Sequence, residues 1–295
     1  MDTDVHPKPA DQIDSWDFEA DVVIAGYGIA GAAAAVEAAS AGADVLVLER
    51  TGGWGGAAAM AGGFIYMGGG TPLQKACGFE DSVDNMAAFL NVAMGPGADA
   101  NRVGDYCAGS IDHFDWLVRC GVPFKAEFWG EPGWEPPGDQ GLMFTGGENA
   151  YPFNTIAKPA PRGHIPQMAN KKAGEASAGY MLMKPLVDTA TSLGVHALYD
   201  VHASSLVVQS DGRVAGLVAR QYGKPLAIRA RRGRRRGRRT APPTTTHARR
   251  REPALPTTWR SRPTASSACS RRSPRQPSCW PSAEHGRAER VWRWC

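Results

Sequence analysis

The chain has 295 residues, of which 43% are hydrophobic and 21% are charged. A composition this rich in apolar side chains supports a buried core and excludes a fully disordered protein. The residues up to about position 15 contain no apolar segment typical of a signal peptide, and no apolar run is long enough to cross a bilayer. We therefore expect a cytoplasmic protein without a transmembrane segment. No cysteine spacing predicts a metal site, and we expect ordinary buried thiols at Cys77, Cys107 and Cys120.

The charge is unevenly distributed, and the composition changes near residue 233. Residues 1–233 contain 17 lysines and arginines against 26 acidic residues, whereas residues 234–295 contain 16 arginines, no lysine and three acidic residues. The formal net charge of +4 is thus the average of an acidic segment and a strongly basic one. It does not indicate a basic, nucleic-acid-binding protein.

A glycine motif follows the first predicted strand and has the spacing GxGxxG over residues 26–31. Residues 22–24 are β-branched, as a buried parallel strand should be, and the alanine-rich residues 29–41 predict a helix. In this spacing the first glycine permits a tight turn, the second lets the backbone approach a pyrophosphate, and the third lets the helix pack on the strand. The helix N-terminus would then face the phosphates. The predicted phosphate-side residues are Gly26, Gly28, Ile29, Ala30 and Gly31.

A second predicted strand, over residues 45–48, ends at Glu49 and Arg50. A carboxylate in the place of Glu49 can accept hydrogen bonds from ribose hydroxyls and repel a 2′-phosphate. The alternative is a glycine-rich turn in an ordinary α/β protein, but the full strand–helix–strand context favours a site for an adenine dinucleotide.

A stretch rich in glycine and alanine extends over residues 52–70 and leaves much of its backbone bare. Such a segment can lie against a flat or phosphorylated ligand through its N–H groups. A flexible linker is the alternative, but linkers carry polar residues rather than Trp54, Phe64 and Tyr66. The candidate cofactor-binding residues here are Gly55, Gly56, Ala57, Ala58, Ala61, Gly62 and Gly63.

Residues 55–63 resemble the second FAD motif of the fumarate reductase/succinate dehydrogenase flavoproteins, the FAD-dependent oxidoreductase 2 superfamily. Within that superfamily the likeness is closest to the 3-ketosteroid dehydrogenases, including the Δ4-(5α) type, and residues 70–72 fit as well. The resemblance implies an α/β fold with a Rossmann-like FAD-binding domain of the glutathione-reductase type. It implies an FAD whose pyrophosphate and isoalloxazine lie along this segment. Because no histidine is placed for a covalent link, we expect FAD to bind noncovalently.

A second region of resemblance begins with a predicted helix, turn and strand over residues 179–199. Short strands are predicted at 205–209, 213–220 and 226–230, with a turn between the first two. These strands resemble the three-stranded β-meander that the family packs over the adenosine half of FAD. The resemblance implies adenine contacts from the backbone of Val201, His202 and Ala203. We interpret the His202 side chain itself as a surface residue.

Between these regions the spacing predicts helices over residues 82–93 and 104–120, followed by an aromatic, loop-rich region at 121–161. The aromatic region, which includes Trp129 and Trp134, could line a flat apolar substrate pocket. An aromatic surface loop is an equal alternative.

The arginine-rich residues 234–295 depart from the family, which has a strand and a third glycine motif at this point. We predict a disordered tail, and our hypothesis is that it is an out-of-frame translation of a GC-rich gene. The competing interpretation is an arginine-rich arm that binds nucleic acid or an anionic membrane. The predicted organisation is an N-terminal extension at 1–18, an incomplete FAD-binding domain at 19–233 and this tail, with the capping and catalytic domain absent.

The resemblance implies an oxidoreductase that acts on a C–C bond next to a carbonyl. Its substrate would be a small apolar, steroid-like ketone or a dicarboxylate, its electron acceptor is unidentified, and no specific nucleic acid is expected. An inactive frameshifted fragment and, less favoured, an arginine-rich binding protein remain the alternatives. No catalytic residue is assigned. Four residues are candidates only because they lie in expected flavin-side loops, and each is more often structural: Tyr66, Tyr151, Arg162 and His164.

Overall fold

The structure is a computed structural model, and it describes residues 6–133, 135–145, 147–166 and 177–232. The predicted tail at 234–295 and Trp134 lie outside the described residues. The strands are β1 (Lys8–Pro9), β2 (Phe18–Ala20), β3 (Val22–Ala25), β4 (Val45–Leu48), β5 (Ile65–Tyr66), β6 (Phe128–Trp129), β7 (Leu142–Met143), β8 (Gly163–His164), β9 (His196–Leu198), β10 (Val201–Val208), β11 (Val214–Gln221) and β12 (Lys224–Ala230). The helices are α1 (Ile29–Ser40), α2 (Gly56–Met60), α3 (Pro72–Ala76), α4 (Val83–Ala93), α5 (Ala100–Ala108), α6 (Ser110–Arg119) and α7 (Ala178–Ser192).

The central layer is a parallel sheet with the strand order β3-β4-β9. β4 consists only of valine and leucine and is buried along its whole length, as a parallel strand covered on both faces should be. α1 connects β3 to β4, and Gly42, with a φ of 78°, reverses the chain after the helix. This arrangement confirms the strand–helix–strand unit predicted from the glycine spacing.

A second sheet has the order β1-β10-β11-β12-β2 and contains the predicted antiparallel meander as β10, β11 and β12. β10 begins at Val201, earlier than the predicted start at Ser205. The polar residues before Ser205 are held in the strand by pairing with β11 and by the Ser204 hydroxyl, which donates to the Val218 carbonyl over 2.9 Å. Cross-strand pairing therefore extends the strand beyond its hydrophobic run.

The predicted N-terminal extension at 1–18 contributes β1 to this sheet, and β2 crosses its predicted end. β1 pairs in parallel with β10, and β2 pairs in parallel with β12. β2 is separated from β3 by Asp21 alone, so one nearly continuous segment passes from the meander sheet into the central sheet. Leu46 and Leu48 of the central sheet pack against Leu217 and Ile228 of the meander.

The helical region differs from its prediction. α4 begins after Ser82, whose hydroxyl accepts the N–H of Asn85, as the spacing predicts. The single helix predicted over residues 104–120 is wrong, because α5 and α6 meet at Gly109. Phe114 of α6 is buried, whereas Tyr106 of α5 is exposed.

The prediction of a loop-rich region at 121–161 is only partly right. Two short strands in this region, β6 and β7, belong to a small sheet with the order β5-β8-β7-β6. Leu142 and Met143 of β7 are buried. Phe128 lies edge-on to Phe79 and to Phe144, with ring centroids 4.7 and 5.7 Å apart. These three rings therefore pack against one another.

Within the described residues, no helix combines the length and the apolar character needed to span a bilayer. The same residues contain no cluster of three or more metal-ligating side chains. Cys107 and Cys120 are buried thiols, as expected, and Cys77 is half-buried.

The main core lies between the central sheet and helices α1, α6 and α7, and α7 supplies five of its buried residues: Leu182, Met183, Leu186, Val187 and Ala190. Leu186 is completely buried, whereas Leu193, at the end of the same helix, is 42% exposed. α7 thus holds α1, and through it the glycine turn, against the sheet.

Leu186→Ala is expected to lower the free energy of unfolding by about 2–5 kcal/mol, because it leaves a cavity in the core. The matched change Leu193→Ala at the exposed position should cost less than about 1 kcal/mol. Denaturant unfolding of both variants measures the difference. Equal losses would show that α7 does not pack as described.

Candidate dinucleotide-binding site

The turn between β3 and α1 requires glycine at two positions. Gly26 has a φ of 96°, which favours glycine, and its N–H donates to the Leu48 carbonyl over 2.7 Å. A Cβ on Gly31 would lie 1.9 Å from the Gly26 carbonyl oxygen and 3.5 Å from a methyl carbon of Ile24. No side chain fits there, so Gly31 lets α1 pack directly on the strand.

The N-terminus of α1 is open to a ligand. Gly28 occupies the N-cap position and has no side chain to accept the first N–H groups of the 12-residue helix. Ile29 and Ala30, the first two helical residues, are exposed although both are apolar. Uncapped N–H groups at the positive end of a helix dipole bind anions such as a pyrophosphate.

Glu49 ties the end of β4 to this turn. Its Oε2 accepts the N–H of Tyr27 over 2.7 Å, and its Oε1 accepts the N–H and the hydroxyl of Thr51 over 2.9 and 3.0 Å. Burial alone would raise the pKa of the Glu49 carboxyl, but these donors stabilise the carboxylate and hold the pKa below its usual range. The carboxylate is therefore ionised. Oε2 keeps a lone pair for a ribose hydroxyl.

The second glycine segment contacts the first. The N–H of Gly55 donates to the Tyr27 carbonyl over 2.8 Å, and a Cβ on Gly28 would lie 3.9 Å from the Gly55 carbonyl oxygen. Gly55 and Gly56 both have positive φ angles, of 109° and 51°. Residues 26–31 and the start of α2 therefore lie against each other through their backbones.

Some of the remaining residues of this segment pack against α7, and others are exposed on the surface. A Cβ on Gly63 would lie 2.4 Å from the backbone of Ala178, and one on Gly179 would lie 2.3 Å from the carbonyl oxygen of Ala58. Gly63 is thus a packing residue against α7. In contrast, four of the predicted cofactor-binding residues are exposed on the surface: Gly56, Ala57, Ala61 and Gly62.

The meander joins the same site through the first residue of β10. The N–H of Val201 donates to the Glu49 carbonyl over 2.9 Å, and the N–H of Asp200 donates to the Thr51 carbonyl over 3.2 Å. Val201 is buried, and the His202 side chain is exposed. The predicted adenine-side residues therefore lie beside the predicted ribose-binding carboxylate.

The candidates Arg162 and His164 are enclosed in a polar network. Nε and Nη2 of Arg162 each donate over 2.9 Å to the carboxylate of Asp81, and both side chains are completely buried. The ring of His164 contacts the Arg162 carbonyl through Nδ1 over 3.0 Å and the Thr71 hydroxyl through Nε2 over 2.8 Å. Burial lowers the pKa of His164 to about 4. The neutral ring then donates from Nδ1 and accepts at Nε2, which is a structural role.

The candidate tyrosines lie in different environments. Tyr151 is 82% exposed. Tyr66 stacks on Phe89, with ring centroids 6.3 Å apart, and burial raises the pKa of its hydroxyl. Among the described residues, no hydrogen bond or ring contact joins either tyrosine to the glycine turn.

Sequence reasoning missed three groups. The Tyr27 N–H donates to Glu49, and the Ser177 hydroxyl donates to the Ala59 carbonyl over 2.8 Å, whereas Asp81 holds Arg162 in the separate polar network. Tyr27 lies inside the GxGxxG motif, so the motif's turn geometry could have identified its N–H. No local signal identifies the pairing of Asp81 with Arg162, because the two residues are 81 positions apart.

An uncapped helix N-terminus, two touching glycine segments and a buried carboxylate define a dinucleotide-binding α/β domain. The family profile described as "FAD binding domain" matches residues 21–250. The chain belongs to this family, whose members bind FAD, and FAD is therefore its cofactor. The match includes residues 234–250, beyond the change in composition.

Two steroid enzymes are similar to this chain. The crystal structure of 3-ketosteroid-delta4-(5alpha)-dehydrogenase from Rhodococcus jostii RHA1, in complex with 4-androstene-3,17-dione, shares 67% sequence identity with a TM-score of 0.75. The match covers 78% of this chain and 47% of that one. The 3-oxo-5-alpha-steroid 4-dehydrogenase of Comamonas testosteroni is 29% identical over 70% of this chain and 38% of that protein. The predicted resemblance to ketosteroid dehydrogenases is thus confirmed.

Reductases are also similar. The acrylate reductase flavoprotein subunit of Shewanella woodyi is 28% identical over 74% of this chain and 38% of that protein. A flavocytochrome c3 fumarate reductase shares the fold, with 23% identity and a TM-score of 0.56 over 73% of this chain and 33% of that one. The chain spans less than half the length of each of these proteins.

Gly31→Ala is expected to lower FAD affinity at least about tenfold, because the added Cβ forces α1 away from the strand that aligns its N–H groups. Gly104→Ala, inside α5 with open space around it, is the control and should be neutral or slightly stabilising. Titration of each apo variant with FAD measures the change. Unchanged affinity in Gly31→Ala would contradict the described turn.

His164 should make the protein less stable in mild acid. Between its ordinary pKa of 6.5 and its folded value of about 4, the unfolded chain binds a proton that the folded chain excludes. The free energy of unfolding therefore falls with decreasing pH in this window, by up to about 1.4 kcal/mol per pH unit from this group. His164→Asn should remove that part of the slope, and His196→Asn, at an exposed position, should retain it. Denaturant unfolding from pH 7 to pH 4 compares the three proteins.

Proposed function

We propose that this chain is the FAD-binding part of an oxidoreductase that acts on a C–C bond next to a carbonyl, with a 3-ketosteroid as substrate. The observation that carries the proposal is the 67% identity to a ketosteroid dehydrogenase structure over 78% of this chain. An identity of this degree over most of the described chain supports the same mode of cofactor binding in both proteins. The chain covers only 47% of that enzyme, so catalysis by this chain alone is also a proposal.

A dicarboxylate substrate is the second candidate, although the acrylate reductase flavoprotein subunit, at 28% identity, supports only the wider class of unsaturated carboxylates. The steroid is favoured because the steroid enzyme is far more similar in sequence. The electron acceptor is unassigned, and we place the enzyme in the cytoplasm.

The residues of this chain bind and orient the cofactor. The N–H groups at the start of α1 would hold the pyrophosphate, Glu49 a ribose hydroxyl, and the backbone from Val201 to Ala203 the adenine. We propose noncovalent binding in a domain of the glutathione-reductase type. Bound FAD supplies hydride transfer at its isoalloxazine ring. His164 and Arg162 are buried and hydrogen-bonded within the protein. We therefore propose that the group that transfers a proton to or from the substrate lies outside the described residues.

The purified full chain, loaded with FAD and reduced anaerobically, tests the substrate. Addition of 4-androstene-3,17-dione should reoxidise the flavin, seen as return of its visible absorbance, and fumarate should not. Reoxidation by fumarate alone would favour the dicarboxylate. Bound FAD that neither compound reoxidises would identify an inactive fragment. Failure of the full chain to bind FAD would overturn the proposal.

A further inference from the structure

One nitrogen of the buried Arg162 side chain has no hydrogen-bond partner. Arg162 is completely buried and binds the carboxylate of Asp81 through Nε and Nη2, each over 2.9 Å. Its Nη1 atom makes no hydrogen bond within the part of the chain that the structure describes. Burying such a group is costly, because its hydrogen bonds to solvent are lost and nothing replaces them. An acceptor beside Nη1 would remove this cost.

A second unpartnered group lies in the same place. The hydroxyl of Tyr66 is shielded from solvent and also has no hydrogen-bond partner among the described residues. Both side chains contact the ring of Phe89: the Tyr66 ring lies 6.3 Å away between centroids, and Cζ of Arg162 lies 5.3 Å from the Phe89 centroid. The backbones are neighbours too, since the N–H of Met67 donates to the Arg162 carbonyl over 2.9 Å.

The two groups are close to each other but are not directly bonded. Burial raises the pKa of the Tyr66 hydroxyl, and the negative charge of Glu148 raises it further, whereas the guanidinium of Arg162 lowers it. The guanidinium therefore acts on the hydroxyl, although the pair does not meet the geometry of a direct hydrogen bond. Polar groups in this relation can be joined by a molecule that bonds to both.

The chemistry of the two groups limits what can bind between them. Nη1 of Arg162 can only donate a hydrogen bond, which excludes a metal ion or an ammonium group. The guanidinium charge is already balanced by Asp81, and the negative charge of Glu148 acts on the hydroxyl, so an anion would be repelled. The ligand that fits is small, neutral and able to accept a hydrogen bond.

We propose that Arg162 and Tyr66 bind an internal water molecule, which accepts a hydrogen bond from Nη1 and shares one with the Tyr66 hydroxyl. Buried waters typically satisfy polar groups of this kind with about two to four hydrogen bonds. The water supports a network beyond the pair, because Asp81 also accepts the N–H of Gly69 over 3.0 Å. Gly69 lies at the end of the glycine-rich segment 52–70, and the water completes the contacts that fix this end.

The sign of one stability change tests the proposal. Tyr66→Phe removes the hydroxyl and keeps the ring, and denaturant unfolding of the full chain is followed without FAD and with saturating FAD. With the water in place, the variant loses a bridged hydrogen bond, and we expect the equilibrium constant for unfolding to rise about fivefold or more in both conditions. A hydroxyl without a partner would give the opposite result, because removing an unsatisfied buried group leaves the constant unchanged or lowers it.

Tyr151→Phe is the matched control, because the Tyr151 side chain is 82% exposed. Its equilibrium constant for unfolding should stay within about twofold of the native value. An equal rise in this control would overturn the proposal, and so would a Tyr66→Phe variant that unfolds no more readily than the native chain.

A crystal structure of the full chain with FAD identifies the ligand directly. We expect an ordered water within hydrogen-bond distance of both Nη1 of Arg162 and the Tyr66 hydroxyl. A protein atom in that place would overturn the proposal, as would a halide, which the anomalous signal of bromide reveals. The unfolding measurement without FAD needs neither cofactor nor turnover, so its outcome is separate from that of the proposed function.

Discussion

The candidate dinucleotide site depends on the carboxylate of Glu49, which joins two segments that are distant in sequence. It accepts the N–H of Tyr27 from the glycine turn and the N–H of Thr51 from the segment after β4, while its own carbonyl accepts the N–H of Val201. One residue therefore sets the spacing between turn, strand and meander. Its charge is stabilised because three donors offset its burial, so the site is built before a ligand arrives.

Local features of the fold could be predicted, and non-local ones could not. The glycine spacing at residues 26–31 predicts the turn because the constraint is steric and lies within six residues. The two-residue strands β6 and β7 have no period to detect, and partners elsewhere in the chain define them. The ion pair of Asp81 with Arg162 also joins residues that are distant in sequence. The sequence therefore left Arg162 as a catalytic candidate, whereas in the structure it is buried and paired with Asp81.

The change of composition near residue 233 follows directly on β12. The N–H of Arg232, just after β12, donates to the carbonyl of Asp21, the residue before β3, and the segment that follows is rich in arginine. A frame error and a genuine basic arm are the two interpretations of that segment. The family match through residue 250 shows that this junction is within the domain's normal extent.

The pairing of β2 with β12 has a consequence for biosynthesis. The two strands are neighbours in the sheet, yet residues such as Ala20 and Ala230 are 210 positions apart. Closing so long a loop is entropically costly, and contacts of this separation slow folding. During translation β1 and β2 leave the ribosome long before the strands that pair with them. Their apolar side chains stay uncovered until almost the whole domain has been synthesised. The growing chain should accordingly depend on chaperones more than a domain with locally paired strands.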